Sequence, residues 1–340
     1  MSQPFKLCSF AILAVSLLAL PIAGCGKGDS KPSPGSSPAV FQGTHPINVV
    51  ATVGMVGDLV RGVGGDYVKV QQICGSGVDP HTFAPTRDDM QAIMSADMVF
   101  YCGLMLEGKM SDTLVKISKG KPVFAVTDSI EHSQLLEPED FDGHADPHVW
   151  NDVSLWSQAI KSVENALIDF DPTNADVYAK NATQMREDFA KLHQYGIDSV
   201  ATIPEGKRLL VTSHDAFNYF GRAYGLEVAG VQGLSTESEA GVQRINELVD
   251  LLVAKKVEAV FIESSVSRKN IDALVEGVQS KGHKVVIGGE LFSDAMGDEG
   301  TYEGTYMGML DHNLTIVTKA LGGQVEASGF GGKLAEHGGQ

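Results

Sequence analysis

Three histidines stand in sequence contexts that favour metal binding. His81 and His148 each end an Asp-Pro-His triplet, and such a triplet rarely recurs by chance in 340 residues. The proline fixes its own φ and favours an extended conformation in the preceding aspartate, so each histidine is presented from a rigid turn. His214 directly follows a short apolar run, in the segment Thr-Ser-His-Asp-Ala-Phe. Imidazoles that converge beyond the ends of parallel strands are most simply ligands of a transition metal.

The elements that must position these histidines are indicated by β-branched runs that alternate with helical patterns in two blocks. The first block predicts buried strands at 47–52, 67–73, 98–101 and 123–126, and the second predicts strands at 208–212, 227–231, 259–262 and 284–287. Helical patterns lie between them, for example at 245–254 and 271–282. The alternation predicts an α/β fold with two parallel-sheet lobes.

A long amphipathic helix is predicted between the two blocks. Asp171 and Pro172 are typical of an N-cap and a first helical position, and Pro204 marks the end. Apolar side chains recur at spacings of four and three residues, in one stripe: Tyr178, Ala182, Met185, Phe189 and Leu192. A helix of about 29 residues is roughly 43 Å long. We therefore expect it to bridge both lobes and to limit how far they can hinge.

The N-terminal segment predicts export and a lipid anchor. Lys6 is the one charged residue in 1–24, and an apolar run ends in Ala-Gly just before Cys25. The run is nearly long enough for a transmembrane anchor, but the small residues before the cysteine resemble a bacterial lipoprotein signal. Among residues 26–44, 11 of 19 are Gly, Ser or Pro, which is typical of a flexible tether.

The predicted organisation therefore has six parts. They are a signal peptide at 1–24, a lipidated Cys25 with its tether at 25–45, an N-terminal α/β lobe at 46–170, a connecting helix at 171–203, a C-terminal α/β lobe at 204–322, and a disordered Gly-rich tail at 323–340.

Charge and cysteine content narrow the class of protein. The formal net charge of −17 argues against nucleic-acid binding and suits an extracytoplasmic protein whose acidic field attracts cations. Four cysteines are too few for a disulfide scaffold. Cys74 and Cys102 both fall just beyond first-lobe strands, where they are either buried free thiols or a disulfide pair.

Five motifs occur in order along residues 46–322. They contain Asp79-Pro80-His81, Asp146-Pro147-His148-Val149-Trp150, Ser213-His214-Asp215-Ala216-Phe217, Phe261-Ile262-Glu263-Ser264-Ser265 and Leu291-Phe292-Ser293-Asp294-Ala295-Met296-Gly297. This series resembles the zinc- and manganese-binding solute-binding proteins of bacterial ABC transporters, the TroA/ZnuA-like family. The resemblance implies two lobes bridged by one long backbone helix, with one divalent ion in the cleft between them. Carried onto this chain motif by motif, it implies four ligands: His81, His148, His214 and Asp294.

The same resemblance implies a receptor rather than an enzyme. It implies that the protein captures a divalent ion outside the cytoplasm and delivers it to an ABC permease, while Cys25 attaches it to the membrane. We also expect a monomer. Each ligating histidine needs an acceptor for its second N–H, and four nearby carboxylates are candidates: Asp79, Asp146, Asp215 and Glu263.

The donor set favours Zn²⁺ over Mn²⁺. Imidazoles suit zinc, which lies well above manganese in the Irving–Williams order. In the family, manganese-dedicated members often carry Glu at the position of His214. Many zinc-dedicated members have a His-rich loop, whereas residues 131–146 here hold only His132 and His144 among six acidic residues. Manganese therefore remains the alternative.

Two other functions are weighed against the receptor. A metal-dependent hydrolase needs an open coordination position and a general base, for which Asp215 or Glu263 would be the candidates. The chain has no His-Glu-x-x-His motif, and four protein ligands fill a tetrahedron. A surface adhesin lipoprotein is the third possibility and is compatible with metal binding.

Overall fold

The computed structural model describes residues 40–334 except 139, 140 and 142. The predicted signal peptide and Cys25 lie outside the described residues. No helix in the described part of the chain combines the length and the apolar composition that crossing a bilayer requires.

The first lobe is a four-stranded parallel sheet with helices packed around it. Its strands are β1 (Ile47–Ala51), β2 (Val68–Gln72), β3 (Met98–Tyr101) and β4 (Val123–Ala125), in the spatial order β2-β1-β3-β4. Its helices are α1 (Gly54–Gly64), α2 (Arg87–Ser95), α3 (Ser111–Ile117) and α4 (Val153–Phe170). All four strands were predicted, but β2 is half-exposed rather than buried. It lies at an edge of the sheet, where one side of the strand lacks a neighbour.

The second lobe also carries four strands, but they form two separate parallel pairs. The strands are β5 (Leu209–Thr212), β6 (Glu227–Gly230), β7 (Ala259–Glu263) and β8 (Val286–Leu291), paired as β5-β6 and β7-β8. The helices are α6 (Asn218–Tyr224), α7 (Val242–Lys255), α8 (Lys269–Ser280) and α9 (Tyr306–Ala320).

The predicted position of β8 was wrong by several residues. The strand continues through Gly288 and Gly289. The prediction ended it at Ile287 because glycine is uncommon in strands. A side chain at Gly288 would place its Cβ 2.8 Å from the Cβ of Ala320, so glycine is required there for α9 to pack closely on the strand.

The predicted connecting helix is present as α5 (Ala175–Ala201), preceded by a 3-10 turn at Pro172–Asn174. Its 27 residues span about 40 Å. It contacts α1 and α4 of the first lobe and α6 and α9 of the second. Four residues of the predicted stripe are buried and Met185 is partly buried against the same core.

One hydrophobic cluster continues from the first lobe through α5 into the second lobe, and a second cluster lies under α7 and α8. Where the lobes meet, the ring of Tyr306 packs on Phe189 of α5 with centroids 4.7 Å apart and on Trp156 of α4 at 6.2 Å. The two lobes thus share apolar surface as well as a connecting helix.

The prediction of a disordered tail from residue 323 was wrong for residues 323–334. The Phe330 N–H donates to Asp311 Oδ1 at 2.7 Å, and the Gln324 N–H donates to Thr202 Oγ1 at 2.7 Å. At Gly329 the φ is +68°, and an added Cβ would lie 2.4 Å from Asp311 Oδ1. Glycine is needed at this position because the Asp311 side chain lies close to the backbone. Composition alone cannot distinguish this requirement from disorder. Residues 335–340 lie outside the described residues.

Packing of the chain begins before the predicted end of the tether at residue 45. The Phe41 N–H donates to the Phe170 carbonyl at 2.6 Å, and His45 Nε2 lies 2.8 Å from Asp171 Oδ2. These contacts fix the chain against the junction between α4 and the turn that begins α5.

Candidate metal centre

The structure brings together all four side chains that the family motifs implied. His81 lies in the loop between β2 and α2, His148 just before α4, His214 two residues after β5, and Asp294 three residues after β8. One potential ligand atom from each residue lies within 4.8 Å of all the others. All four side chains are buried, with at most 3% of their surface exposed. Two therefore come from each lobe.

The separations between these atoms suit a single transition-metal ion. The Nε2 atom of His148 lies 3.2 Å from that of His81, 3.4 Å from that of His214 and 3.4 Å from Asp294 Oδ1. The Nε2 atom of His214 lies 3.2 Å from Asp294 Oδ2. A tetrahedron with metal–ligand bonds of 2.0–2.1 Å has edges of about 3.3–3.4 Å. The His81–Asp294 edge, at 3.9 Å, is the loosest of those measured.

The carboxylate of Asp294 independently indicates a cation. Both of its oxygens are buried, and within the described part of the chain neither accepts a hydrogen bond of acceptable geometry. A buried carboxylate without donors is costly unless a positive charge compensates it. The two oxygens face different histidines, Oδ1 toward His148 and Oδ2 toward His214. A divalent ion among the three imidazoles would supply the missing partner.

The repeated Asp-Pro-His triplet forms the same turn twice. The backbone N–H of His81 donates to Asp79 Oδ1 at 2.9 Å, and that of His148 donates to Asp146 Oδ1 at 2.9 Å. In each triplet the aspartate folds back onto the histidine two residues later, as in an Asx turn. The turn fixes the histidine backbone, which accounts for the repeated triplet at two of the four candidate ligand positions.

Two of the four candidate carboxylates lie at the Nδ1 atom of a candidate histidine ligand. His148 Nδ1 lies 2.8 Å from Asp146 Oδ1, and His214 Nδ1 lies 2.5 Å from Glu263 Oε2. These bonds place the proton on Nδ1 and leave the lone pair of Nε2 directed at the cluster. Asp79 serves a different purpose, because its Oδ2 accepts from Thr236 Oγ1 of the second lobe at 2.5 Å. Asp215 instead lies beside Asn218.

The charged groups of the site shift one another's protonation. Burial lowers the pKa of His81 to about 4, although the charge of Asp294 opposes the shift. Burial also disfavours a charged His214, but the charges of Glu263 and Asp294 outweigh it and raise the pKa of that imidazole. Burial alone would raise the pKa of Asp294, yet the surrounding histidines hold it well below its usual range. A proton on His214 therefore partly neutralises the site when no metal is bound.

Hydrogen bonds between the lobes surround the cluster, and the sequence did not single out their partners. Trp150 Nε1–H donates to the Ser293 carbonyl at 2.9 Å, next to Asp294 in the chain. Tyr219 O–H donates to the Asp146 carbonyl at 3.0 Å, and Asn151 Nδ2 donates to the Ala216 carbonyl at 2.9 Å. Trp150 stands within a quoted motif and Tyr219 lies two residues beyond another, but only the fold shows that they join the lobes.

Cys74 and Cys102 are both free and buried, so of the two possibilities the structure shows unpaired thiols. Burial raises the pKa of Cys74 to about 12 and also raises that of Cys102, which keeps both protonated. Neither belongs to the ligand cluster.

Comparison with known proteins matches residues 49–320 to a family described as "Zinc-uptake complex component A periplasmic". The chain is 44% identical over 308 residues to the manganese-binding lipoprotein MntA of Bacillus subtilis, covering 91% of this chain and 97% of that protein. It is 43% identical over 273 residues to the zinc-binding protein TroA of Treponema pallidum, covering 80% and 88%. The solved structure of that periplasmic zinc-binding protein superposes with a TM-score of 0.79, covering 82% of this chain and 99% of the other.

Proposed function

The chain belongs to the family of periplasmic zinc-uptake components, and we propose that it captures one divalent metal ion outside the cytoplasm and delivers it to an ABC permease for uptake. The buried His81–His148–His214–Asp294 cluster carries this proposal. The orphaned carboxylate of Asp294 and the separations of 3.2–3.4 Å between its oxygens and two of the histidine nitrogens both support a bound cation.

Placing two ligands on each lobe supports capture and release rather than permanent binding. Neither pair alone completes the coordination of the ion, so affinity depends on the lobes being together. An ion held in this way is the cargo of the protein. It becomes accessible when the two ligand pairs separate.

We propose zinc as the preferred cargo and manganese as the second candidate. Three imidazole nitrogens and edges of 3.2–3.4 Å favour Zn²⁺ at bond lengths of 2.0–2.1 Å. Manganese is favoured by the two free oxygens of Asp294, which allow a fifth bond, and by the likeness to a manganese-binding lipoprotein.

The site does not favour the hydrolase alternative. A hydrolytic metal centre keeps a position open for water, whereas here all four ligands are buried and face one another. Glu263, a candidate base, is occupied by both the ring and the backbone N–H of His214.

The membrane attachment and the single-chain state belong to the same proposal. A cleaved signal peptide would expose Cys25 for lipidation, and a lipidated receptor stays near the permease that it serves. The four ligands all come from one chain, so a monomer suffices for binding.

Metal content tests the function directly. The protein is purified from cells grown with zinc and manganese both supplied, and the bound metals are quantified by mass spectrometry. We expect close to one equivalent of zinc per chain, reduced to a trace in His214→Ala. One equivalent of manganese would reverse the metal preference and leave the receptor function standing. An absence of stoichiometric metal in the native protein would refute the proposal.

A further inference from the structure

Glu107 is a buried carboxylate that lies outside the ligand cluster. It stands in the loop that follows β3, and its side chain is completely buried. Its Oε1 accepts from Thr52 Oγ1 at 2.7 Å and from the Cys102 N–H at 2.6 Å, and its Oε2 accepts from the Gly103 N–H at 3.2 Å. The carboxylate therefore ties the end of β1 to the end of β3 and to its own loop.

The loop that Glu107 closes has an unusual backbone. Leu104 and Met105 have φ values of +52° and +67°, in the left-handed region that residues with a side chain seldom occupy. Such a conformation persists only where surrounding contacts enforce it. The three hydrogen bonds to Glu107 span this segment from both sides and provide that enforcement.

Both ends of the loop lie against segments that carry metal ligands. At Gly108 an added Cβ would lie 2.5 Å from the carbonyl oxygen of His81, so the backbones touch. At the other end, Cys102 Sγ lies 3.9 Å from the carbonyl oxygen of Pro147, the residue before His148. The loop from 102 to 108 therefore contacts the segments of both first-lobe histidines, and Glu107, near its C-terminal end, bonds back to its first two residues.

We propose that Glu107 is a positioning residue for the first-lobe half of the metal site. Its carboxylate fixes the 102–108 loop, and the loop fixes where His81 and His148 stand before the ion arrives. This inference rests on the proposed metal binding, and it adds a residue that does not touch the ion.

Glu107→Gln tests the inference because the amide keeps the size of the side chain but has one acceptor oxygen. It cannot accept both from Cys102 and from Gly103 without turning a donor toward one of them. We expect 10- to 100-fold weaker Zn²⁺ binding in competition with a chelator, as for other residues that orient metal ligands. With Co²⁺ as the probe, we also expect a changed visible spectrum, because the ligand geometry around the ion is altered.

Asp311→Asn is the matched control. Asp311 is also a fully buried carboxylate that accepts from a backbone N–H, but its partners are Phe330, Tyr302 and Thr315 in the second lobe. We expect this variant to melt at a lower temperature while it keeps the wild-type Zn²⁺ affinity and Co²⁺ spectrum. Thr52→Val removes one hydrogen-bond donor and leaves the Glu107 carboxylate in place, so it should weaken Zn²⁺ binding 3- to 10-fold. This variant replaces Glu107→Gln in the test if Glu107→Gln does not fold.

Affinity within twofold of wild type in Glu107→Gln, or in Thr52→Val where the first variant does not fold, would overturn the inference. Equal losses of affinity in Glu107→Gln and Asp311→Asn would also overturn it, because the effect would then be general destabilisation. Failure of the wild-type protein to bind Zn²⁺ or Co²⁺ would instead refute the proposed function, so the two failures are distinguishable.

Discussion

Glu263→Gln should damage the metal site more than Asp146→Asn, although both remove one negative charge beside a ligand. The two carboxylates differ in how they use their oxygens. Glu263 accepts the His214 backbone N–H with Oε1 at 2.9 Å and the ring Nδ1–H with Oε2. Asp146 accepts both the backbone N–H and the ring Nδ1–H of His148 with the single atom Oδ1.

An amide has one acceptor oxygen, so glutamine at 263 can satisfy only one of the two donors of His214. If its oxygen faces the ring, its NH₂ opposes the buried backbone N–H. If its NH₂ faces the ring, Nδ1 becomes the acceptor, the proton moves to Nε2 and that nitrogen can no longer bind the ion. A buried donor left without a partner costs about 1–3 kcal/mol. We therefore expect a Kd for Zn²⁺ about 10- to 100-fold higher than that of wild type.

Asparagine at 146 can keep its oxygen at the Oδ1 position and retain both bonds to His148. Its NH₂ then faces Asn218, whose Nδ2 donates to Asp146 Oδ2 at 3.2 Å in the wild type. The amide of Asn218 can rotate to present its oxygen, at the cost of a 3.4 Å contact with the Asp215 carbonyl. One weak hydrogen bond is worth about 1 kcal/mol or less, so we expect a Kd no more than about fivefold higher.

Chelator competition at one pH and ionic strength measures both affinities, and circular dichroism of the metal-free variants checks that they fold. Equal losses in the two variants would refute the reasoning, since the missing charge and not the proton position on His214 would then be responsible. A Glu263→Gln affinity within twofold of wild type would refute it as well.

Three further predictions concern protons, shape and the lipid anchor. Because the pKa of His214 is raised in the metal-free site, Zn²⁺ must displace a proton wherever this imidazole is protonated, and the measured affinity should fall as the pH is lowered, by up to about tenfold per pH unit for one displaced proton; an affinity independent of pH between 8 and 6 contradicts the assignment. Because α5 packs on helices of both lobes, small-angle scattering should show a radius of gyration that changes by less than about 1 Å on addition of metal, whereas a fall of several Å would indicate a true hinge. Cys25→Ala should abolish acyl labelling and membrane retention, and a variant still acylated and anchored would remove Cys25 from the proposal.

The local features of the site could be predicted from the sequence because they are encoded by neighbouring residues. The Asp-Pro-His turns depend on an aspartate two residues before the histidine, and the stripe from Tyr178 to Leu192 depends on helical spacing. The prediction of Asp294 rests on a family motif, because a single aspartate after a strand does not by itself indicate a metal ligand. Both kinds of information concern short segments, which is why they singled out four side chains that the fold brings together.

The glycine-containing segments were misread for the opposite reason. Gly288 lies in a strand and Gly329 in a packed turn, and each is glycine because a distant element approaches its backbone. The approaching atoms belong to Ala320 and Asp311, which are 32 and 18 residues away in the chain. Composition shows that a glycine is present but not which residue packs against it. It therefore predicted the end of a strand before Gly288 and disorder around Gly329.

The contacts that couple the lobes explain why metal should change the stability of this protein more than its shape. Thr236 reaches Asp79, and Trp150 reaches the residue before Asp294, so the ligand segments of opposite lobes are hydrogen-bonded to each other directly. We expect these bonds and the shared apolar core to hold the four candidate ligands near one another in the metal-free protein as well. The four side chains are then ordered largely when the protein folds. Binding of the ion therefore needs little further free energy to bring the two lobes together. At a metal concentration 1,000 times the Kd, linkage stabilises the folded protein by about 4 kcal/mol. If the protein delivers its ion as proposed, we expect release to require breaking these interlobe bonds, at the Asp79–Thr236 and Trp150–Ser293 contacts, rather than bending at a hinge.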